Sequence, residues 1–366
     1  MSGLTAADPD QSDRLEFLFL DSWVSNRAEG SGSAVAIAGL AAGLRSLGHR
    51  VEVLRPRRVY RSLDATRLLY NLTLRNRLAD LERAYDVVVG FDYDGWALHG
   101  EAGALYAVAL KGVAADERRF ETGWYRLKFT LWSALEGRNA RSADRVFVTS
   151  EYSRKQAVAA YALCTDRVRL APEGTDPAVA AGDGSGGPEA PTVLSVARQY
   201  RRKDTASLIR AVPGLLAAVP RVRVRIVGDG PELRRIRRLV ASLGLEDAVS
   251  LVGALQSVDS LRREYERASV FCLPSLQEGF GIVFLEAMSH GLPIVAAAAG
   301  AVPEVAPHGE TSLLVPPGDC EALTRALIRI LTEPGLAGRL GRAGRERAAR
   351  YDWTSAARAF VHGIRS

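Results

Sequence analysis

A chain of 366 residues has room for two domains of ordinary size, each with a buried core. At 47% hydrophobic, 25% charged and 7% aromatic residues, its composition is that of a globular protein and excludes collagen-like and disordered classes; its longest apolar stretches, such as LPIVAAAAGAV at 292–302, stop well short of the ~20 residues of a membrane span. The formal charge of +6 sits entirely in residues 186–366, since residues 1–185 carry 24 basic and 24 acidic side chains.

Short apolar runs alternate with helical patterns along the whole chain, which predicts an α/β fold built on parallel sheets. The opening MSGLTAADPDQSDR is polar and acidic, without the pattern of a secretory signal, and a cytoplasmic location is expected. Strands are predicted at 15–21, 51–55, 86–92, 105–111, 145–150 and 168–172, and helices at 33–47, 62–84, 123–140 and 153–161. Residues 176–191, DPAVAAGDGSGGPEAP, lack any apolar period and read as a linker. A second series follows, with strands at 192–196, 222–227, 249–252, 270–273 and 294–297 and helices at 205–219, 232–243, 257–268, 281–290, 321–331, 336–351 and 353–364. The expected division is a first domain at 1–176, a linker at 177–191, a second domain at 192–352, and a terminal helix at 353–366 packing back on the first domain. Two such sheets place a ligand cleft between the carboxyl ends of their strands. Cys164, Cys272 and Cys320 are odd in number and widely spaced, so free thiols in a reducing compartment are expected rather than disulfides or a zinc site.

The densest chemical signal lies in 274–319. Glu278 and Glu286 are separated by seven residues, and Gly279 and Gly281 stand between them at the junction of a predicted strand and helix. Glycines there let the backbone approach a ligand, and the amides at the helix start suit a diphosphate. Glu278 is placed to accept from sugar hydroxyls and Glu286 from a ribose diol. With VLSVARQYRRKD (193–204), IVGDGPEL (226–233), EGFGIVFLE (278–286), GLPIVA (291–296), VPEV (302–305) and LLVPPGD (313–319) in this order, the chain resembles the family-4 retaining glycosyltransferases. That resemblance implies the GT-B fold, two Rossmann-like domains facing across a donor/acceptor cleft. It also implies that Arg198 and Lys203 hold the donor diphosphate, that Glu278 contacts the donor sugar, that the backbone at Phe280 and Gly281 lines the sugar-phosphate site, and that Glu286 holds the ribose. The stretch AEGSGS (28–33) is similar to the family's loop over the donor phosphate, with Gly30 and Gly32 as contact points.

The resemblance implies a UDP- or GDP-sugar as co-substrate, no bound cofactor, and front-face substitution without an enzymic nucleophile. Charge developing on a leaving diphosphate calls for fixed cations, which Arg198 and Lys203 supply; Arg201 and Arg202 between them are expected to be solvated. No metal requirement is expected. Where many family members have a His after the fourth strand, this chain has Lys111, a candidate phosphate or acceptor ligand. The usual Asn before the linker is Glu173, to which no role attaches, and the base is expected near Val252–Leu255.

Two features bear on the acceptor. Nine arginines lie within 45–77 against Glu52 and Asp64, a basic stretch suited to peripheral contact with anionic lipid and a lipid-linked acceptor. Asp92, Asp94, Asp116 and Glu117, each following a predicted strand, would suit a cationic small-molecule acceptor such as an amino sugar or aminocyclitol, and this soluble acceptor is the reading favoured at this point. Competing functions are a nucleotide-sugar epimerase or a non-catalytic nucleotide-sugar binder. A nicotinamide-dependent dehydrogenase is disfavoured by Val35 in place of a third glycine and Arg55 in place of an acid, and a nucleic-acid binder by the want of interleaved aromatics.

Overall fold

The computed structural model describes residues 14–23, 32–60, 62–79, 85–98, 104–175, 190–255 and 257–366. The first half contributes β1 (Glu16–Leu20), β2 (Arg50–Leu54), β3 (Val87–Phe91), β4 (Leu105–Leu110), β5 (Arg145–Val148) and β6 (Val168–Leu170), all parallel in the order β2-β1-β3-β4-β5-β6. Strand β3, VVVGF, is buried at every position, as a strand covered by helices on both faces must be. The covering helices are α1 (Gly32–Ser46), α2 (Leu63–Ala79), the short α3 (Ala114–Glu117), α4 (Gly123–Ser142) and α5 (Glu151–Tyr161). The predicted helix at 62–84 is described only as far as Ala79, and most of the predicted linker, 176–189, lies outside the described residues.

The second half forms a parallel sheet of β7 (Thr192–Val196), β8 (Arg223–Val227), β9 (Val249–Gly253), β10 (Val270–Leu273), β11 (Ile294–Ala297) and β12 (Ser312–Val315), in the order β12-β11-β10-β7-β8-β9. Around it lie α6 (Thr205–Ala218), α7 (Leu233–Ser242), α8 (Val258–Glu266), α9 (Ile282–Ser289), α10 (Val302–Val305), α11 (Cys320–Thr332) and α12 (Leu336–Ala348). The fold class is α/β, two Rossmann-like domains. The strand order reverses between β1 and β3 in one sheet and between β7 and β10 in the other, and crevices open at such points.

The last helix, α13 (Trp353–Arg365), belongs to the second half of the sequence but packs in the first domain. Trp353, Ala357, Phe360 and Val361 join Phe17, Phe19, Phe91 and Phe147 in one core, and the Phe147 and Phe360 rings stack at 4.0 Å. Two glycines of α1 make the approach possible: a Cβ at Gly39 would overlap the Trp353 ring, and one at Gly43 the Trp353 carbonyl. The chain thus passes between the domains twice, and the passages run side by side, the Thr175 amide donating to the Tyr351 carbonyl at 2.9 Å.

Candidate active site

Strand β10 ends in Leu273, and the loop that follows delivers Glu278 and the glycines to the start of α9. Gly281 has φ 90°, a left-handed conformation that a side chain would strain, and a Cβ there would also meet the Phe284 ring at 2.6 Å. This lets α9 begin abruptly, with Phe280, Gly281, Ile282 and Val283 lining a cavity of about 620 Å3 between the two sheets. Arg198, Lys203, Glu278 and Glu286 line the same wall, the first two following β7 and Glu278 following β10, on either side of the strand-order reversal.

Glu278 is buried, and its Oε1 accepts from Lys203 Nζ and from Ser275 Oγ, both at 2.7 Å. Glu286, buried two turns into the loop–helix unit, accepts from the Tyr265 hydroxyl at 2.7 Å. Burial, reinforced by the Glu286 charge, holds the Tyr265 phenol well above its usual range, so it stays a donor. Tyr265 went unnoticed in the sequence, although a tyrosine at i+7 and i+4 from Val258 and Leu261 on an apolar face requires a polar partner. Ala254 and Leu255 line the cavity near the region expected for the base.

The opposite wall comes from the first domain. Gly32, the first residue of α1, lines the cavity; Gly30 lies outside the described residues. Lys111 follows β4 and pairs with Glu173 at 3.0 Å, both side chains being almost inaccessible. Burial raises the Glu173 carboxyl and the Lys111 ammonium opposes that, so the unassigned acid of PEGTD is the counterion of the lysine that stands in the histidine position. Asp92 lines the cavity with φ 56°, rare for a residue with a Cβ, held by the Lys111 amide at 2.9 Å and the Trp23 indole at 3.2 Å. Burial pushes its carboxyl up to about 6 against the pull of Arg67.

Several expectations require correction. Asp94 is fully buried and accepts from Ser22 and Asn71 with Arg67 at 3.6 Å, so it faces the domain interior. Asp116 is buried against the Tyr152 hydroxyl at 2.6 Å and Arg119 at 3.3 Å. The four-acid acceptor cluster therefore reduces to Asp92 and Glu117. Arg202 is not solvated: it crosses to the first domain and meets Glu117 at 3.2 Å and Glu121 at 3.7 Å. Nor do the nine arginines of 45–77 form one solvated face. Arg67 is 1% exposed, its guanidinium over the rings of Trp23 and Tyr93 at 4.1 and 3.9 Å; Arg45 and Arg77 bond to backbone carbonyls, and Arg55 to Asp21.

The domains also grip each other at the donor loop. Ser150 Oγ and Ser153 Oγ, at the start of α5, donate to the Gly279 carbonyl at 2.7 and 2.9 Å. In return the Glu304 carboxylate accepts the Glu151 and Tyr152 amides at 2.9 and 2.8 Å, at the positive end of α5.

Behind this first-domain wall, burial and the neighbouring Asp94 charge raise the Asp21 carboxyl to about 6, against Arg55. The folded state therefore holds this proton more tightly than the unfolded chain, and the ionised form opposes folding above that pH. Asp21→Asn is expected to raise the urea midpoint near about pH 7.5, and the gain should vanish near about pH 2.5, below the carboxyl's pKa in both states. A gain that persisted at the acidic pH would show another origin.

Residues 186–347 match the family model described as glycosyl transferases group 1. Sulfoquinovosyl transferase SQD2 of Arabidopsis thaliana is 32% identical over 251 residues, 65% of this chain and 47% of that protein. The GDP-mannose-dependent alpha-(1-6)-phosphatidylinositol monomannoside mannosyltransferase of Mycolicibacterium smegmatis is 31% identical over 249 residues, 64% of each. The chain thus spans about half to two thirds of the length of these relatives. In fold it is similar to sucrose-phosphate synthase from Thermosynechococcus elongatus, with a TM-score of 0.79 over 96% of this chain and 98% of that one at 24% identity. Residues 186–347 are thus similar to group 1 glycosyl transferases, in a chain whose two parallel sheets have the GT-B architecture.

Proposed function

We propose that the protein is a retaining, metal-independent glycosyltransferase that moves a sugar from a UDP- or GDP-sugar to an acceptor hydroxyl, with residues 192–352 holding the donor and residues 1–176 the acceptor across the linker at 177–191. The observation that carries this reading is the gathering of Arg198, Lys203, Glu278, Glu286 and the start of α9 on one wall of a single cavity. As the glycosyl–phosphate bond breaks, negative charge grows on the diphosphate, and the Lys203 ammonium, the Arg198 guanidinium and the α9 amides are cations and donors already in place for it. Lys203 Nζ has three donors and uses one on Glu278, so it can bridge that carboxylate and a phosphate. Glu278 takes the sugar hydroxyls, and Glu286, held by Tyr265, the ribose. A leaving phosphate oxygen accepts the acceptor's proton on the same face of the sugar, which needs no enzymic nucleophile. Lys111, held by Glu173, and Asp92 stand on the acceptor wall.

The acceptor is a small molecule or a lipid-borne glycan. No helix among the described residues is long and apolar enough to cross a membrane, and we place the enzyme in the cytoplasm or on the inner membrane face. The test is thermal shift with UDP, GDP and their sugars on the wild type, Arg198→Ala and Glu286→Ala. Stabilisation of the wild type by one nucleotide series and its loss in both variants is expected; equal stabilisation of all three would overturn the assignment. Conversion of the donor to its epimer without acceptor would make the protein an epimerase, and binding with neither reaction a sensor.

A further inference from the structure

Nine large apolar side chains stand exposed among the described residues, and eight of them fall on two neighbouring segments: Val59, Tyr60, Leu68, Leu69 and Leu72 on and before α2, and Trp124, Leu127 and Leu131 on α4. The two helices are tied by the Lys128–Asp64 ion pair at 2.7 Å, and Tyr93 joins them from within, lying against Arg67 of α2 and 6.0 Å from Trp132 of α4. Each helix is therefore apolar on two faces. On α4, Tyr125, Phe129 and Trp132 line the cavity, while Trp124, Leu127 and Leu131, spaced i, i+3, i+7, point outward, 70%, 61% and 57% exposed. On α2, Tyr70, Asn71 and Leu74 are buried while Leu68 and Leu72, four apart, face solvent. A clustered apolar surface of this kind marks a contact with something else.

We propose that the outer faces of α2 and α4 form a docking surface for an anionic lipid bilayer, seating the acceptor wall of the cleft against the membrane. The proposal deepens the reading above, on which its link to a lipid-borne acceptor rests, and it extends the Arg-rich stretch 45–77 with the outer face of α4. Charge decides the occupant. The acids nearby are already paired: Asp64 with Lys128, Asp116 with Arg119, Glu117 and Glu121 with Arg202. Arg57, Arg58, Arg75 and Arg126 are exposed around the apolar residues, so the face presents leucines and a tryptophan within a cationic surround. That is the arrangement of a helix lying in the interface of an anionic membrane, with Trp124 at headgroup depth.

The experiment is flotation of the full chain with vesicles of phosphatidylcholine alone and of phosphatidylcholine mixed with phosphatidylglycerol. Wild type should float with the mixed vesicles and scarcely with the neutral ones, and added salt should weaken the binding. Trp124→Ser with Leu127→Ser should lower partitioning at least about tenfold, while Leu243→Ser, at the ninth exposed position, should leave it unchanged. A retained circular dichroism spectrum and nucleotide response show that the double variant is folded. Arg198→Ala should bind vesicles as wild type does, so a failed transferase reading would leave this result standing. Absence of flotation, equal binding to neutral vesicles, or unchanged binding by the double variant would overturn the proposal. So would a concentration-dependent dimer in sedimentation that the double variant abolishes, since the face would then seat a second copy.

Discussion

Lys203→Ala lowers kcat/KM for transfer by about a hundred- to a thousandfold, the effect of removing one preorganised group from a site where charge develops. The lysine ends a 3-10 turn at Arg201–Lys203, fixed by Asp204 in a left-handed conformation, and its ammonium sits 2.7 Å from Glu278, so it needs no reorganisation to meet a phosphate. The variant also strips the buried Glu278 carboxylate of the ammonium paired with it and leaves it the Ser275 hydroxyl. Steady-state kinetics with the donor varied measures the loss, and Lys203→Arg should recover little, because a planar fork does not replace a compact ammonium. A variant within a few fold of wild type would remove Lys203 from the transition state.

Arg67→Met destabilises the first domain by about 3–5 kcal/mol, the usual cost of taking one partner from a buried charge pair. The guanidinium donates to Ser22 Oγ at 2.9 Å, lies beside Asp94 and is covered by Trp23 and Tyr93. Burial works against its charge, and Tyr93 with the carboxylates of Asp94, Asp92 and Asp21 outweighs burial, holding it above its ordinary range. Without it Asp94 is an uncompensated carboxylate in the core. Urea unfolding should show the midpoint of that domain fall by roughly 1–2 M. Asp94→Asn in the same chain should return part of the loss, because it removes the stranded charge. Strict additivity of the two substitutions would show that the pair does not interact.

The architecture was legible because its signals are local. Strands β7, β10 and β11 occupy the spans read from their apolar runs, and the glycines of the donor loop stand where the chain turns. Strand β12 escaped because four residues running into Pro316 and Pro317 offer too short a period. Side-chain direction within RRK was not legible either. Successive residues of a 3-10 turn project about 120° apart, so Arg202 reaches across to Glu117 while Lys203, its neighbour, reaches Glu278. Glu173 and Tyr265 owe their positions to contacts 62 and 21 residues away, which spacing along the chain does not encode. The acids after β3 and β4 looked alike in sequence and differ in space. The left-handed Asp92 keeps its carboxylate at the cavity, and Asp94, two residues on, turns into the interior.

The position of α13 governs the order in which the molecule can be completed. Residues 353–365 leave the ribosome only after the whole second domain, yet they supply Trp353 and Phe360 to the core of the first. Until then α1 and the β5-β6 side of the sheet lack their cover, and the usual sequence, in which the domain made first folds first, is reversed in its last step. A chain severed between the domains would carry that bare face permanently. The two halves are separable as sheets, but the first takes part of its core from the end of the chain.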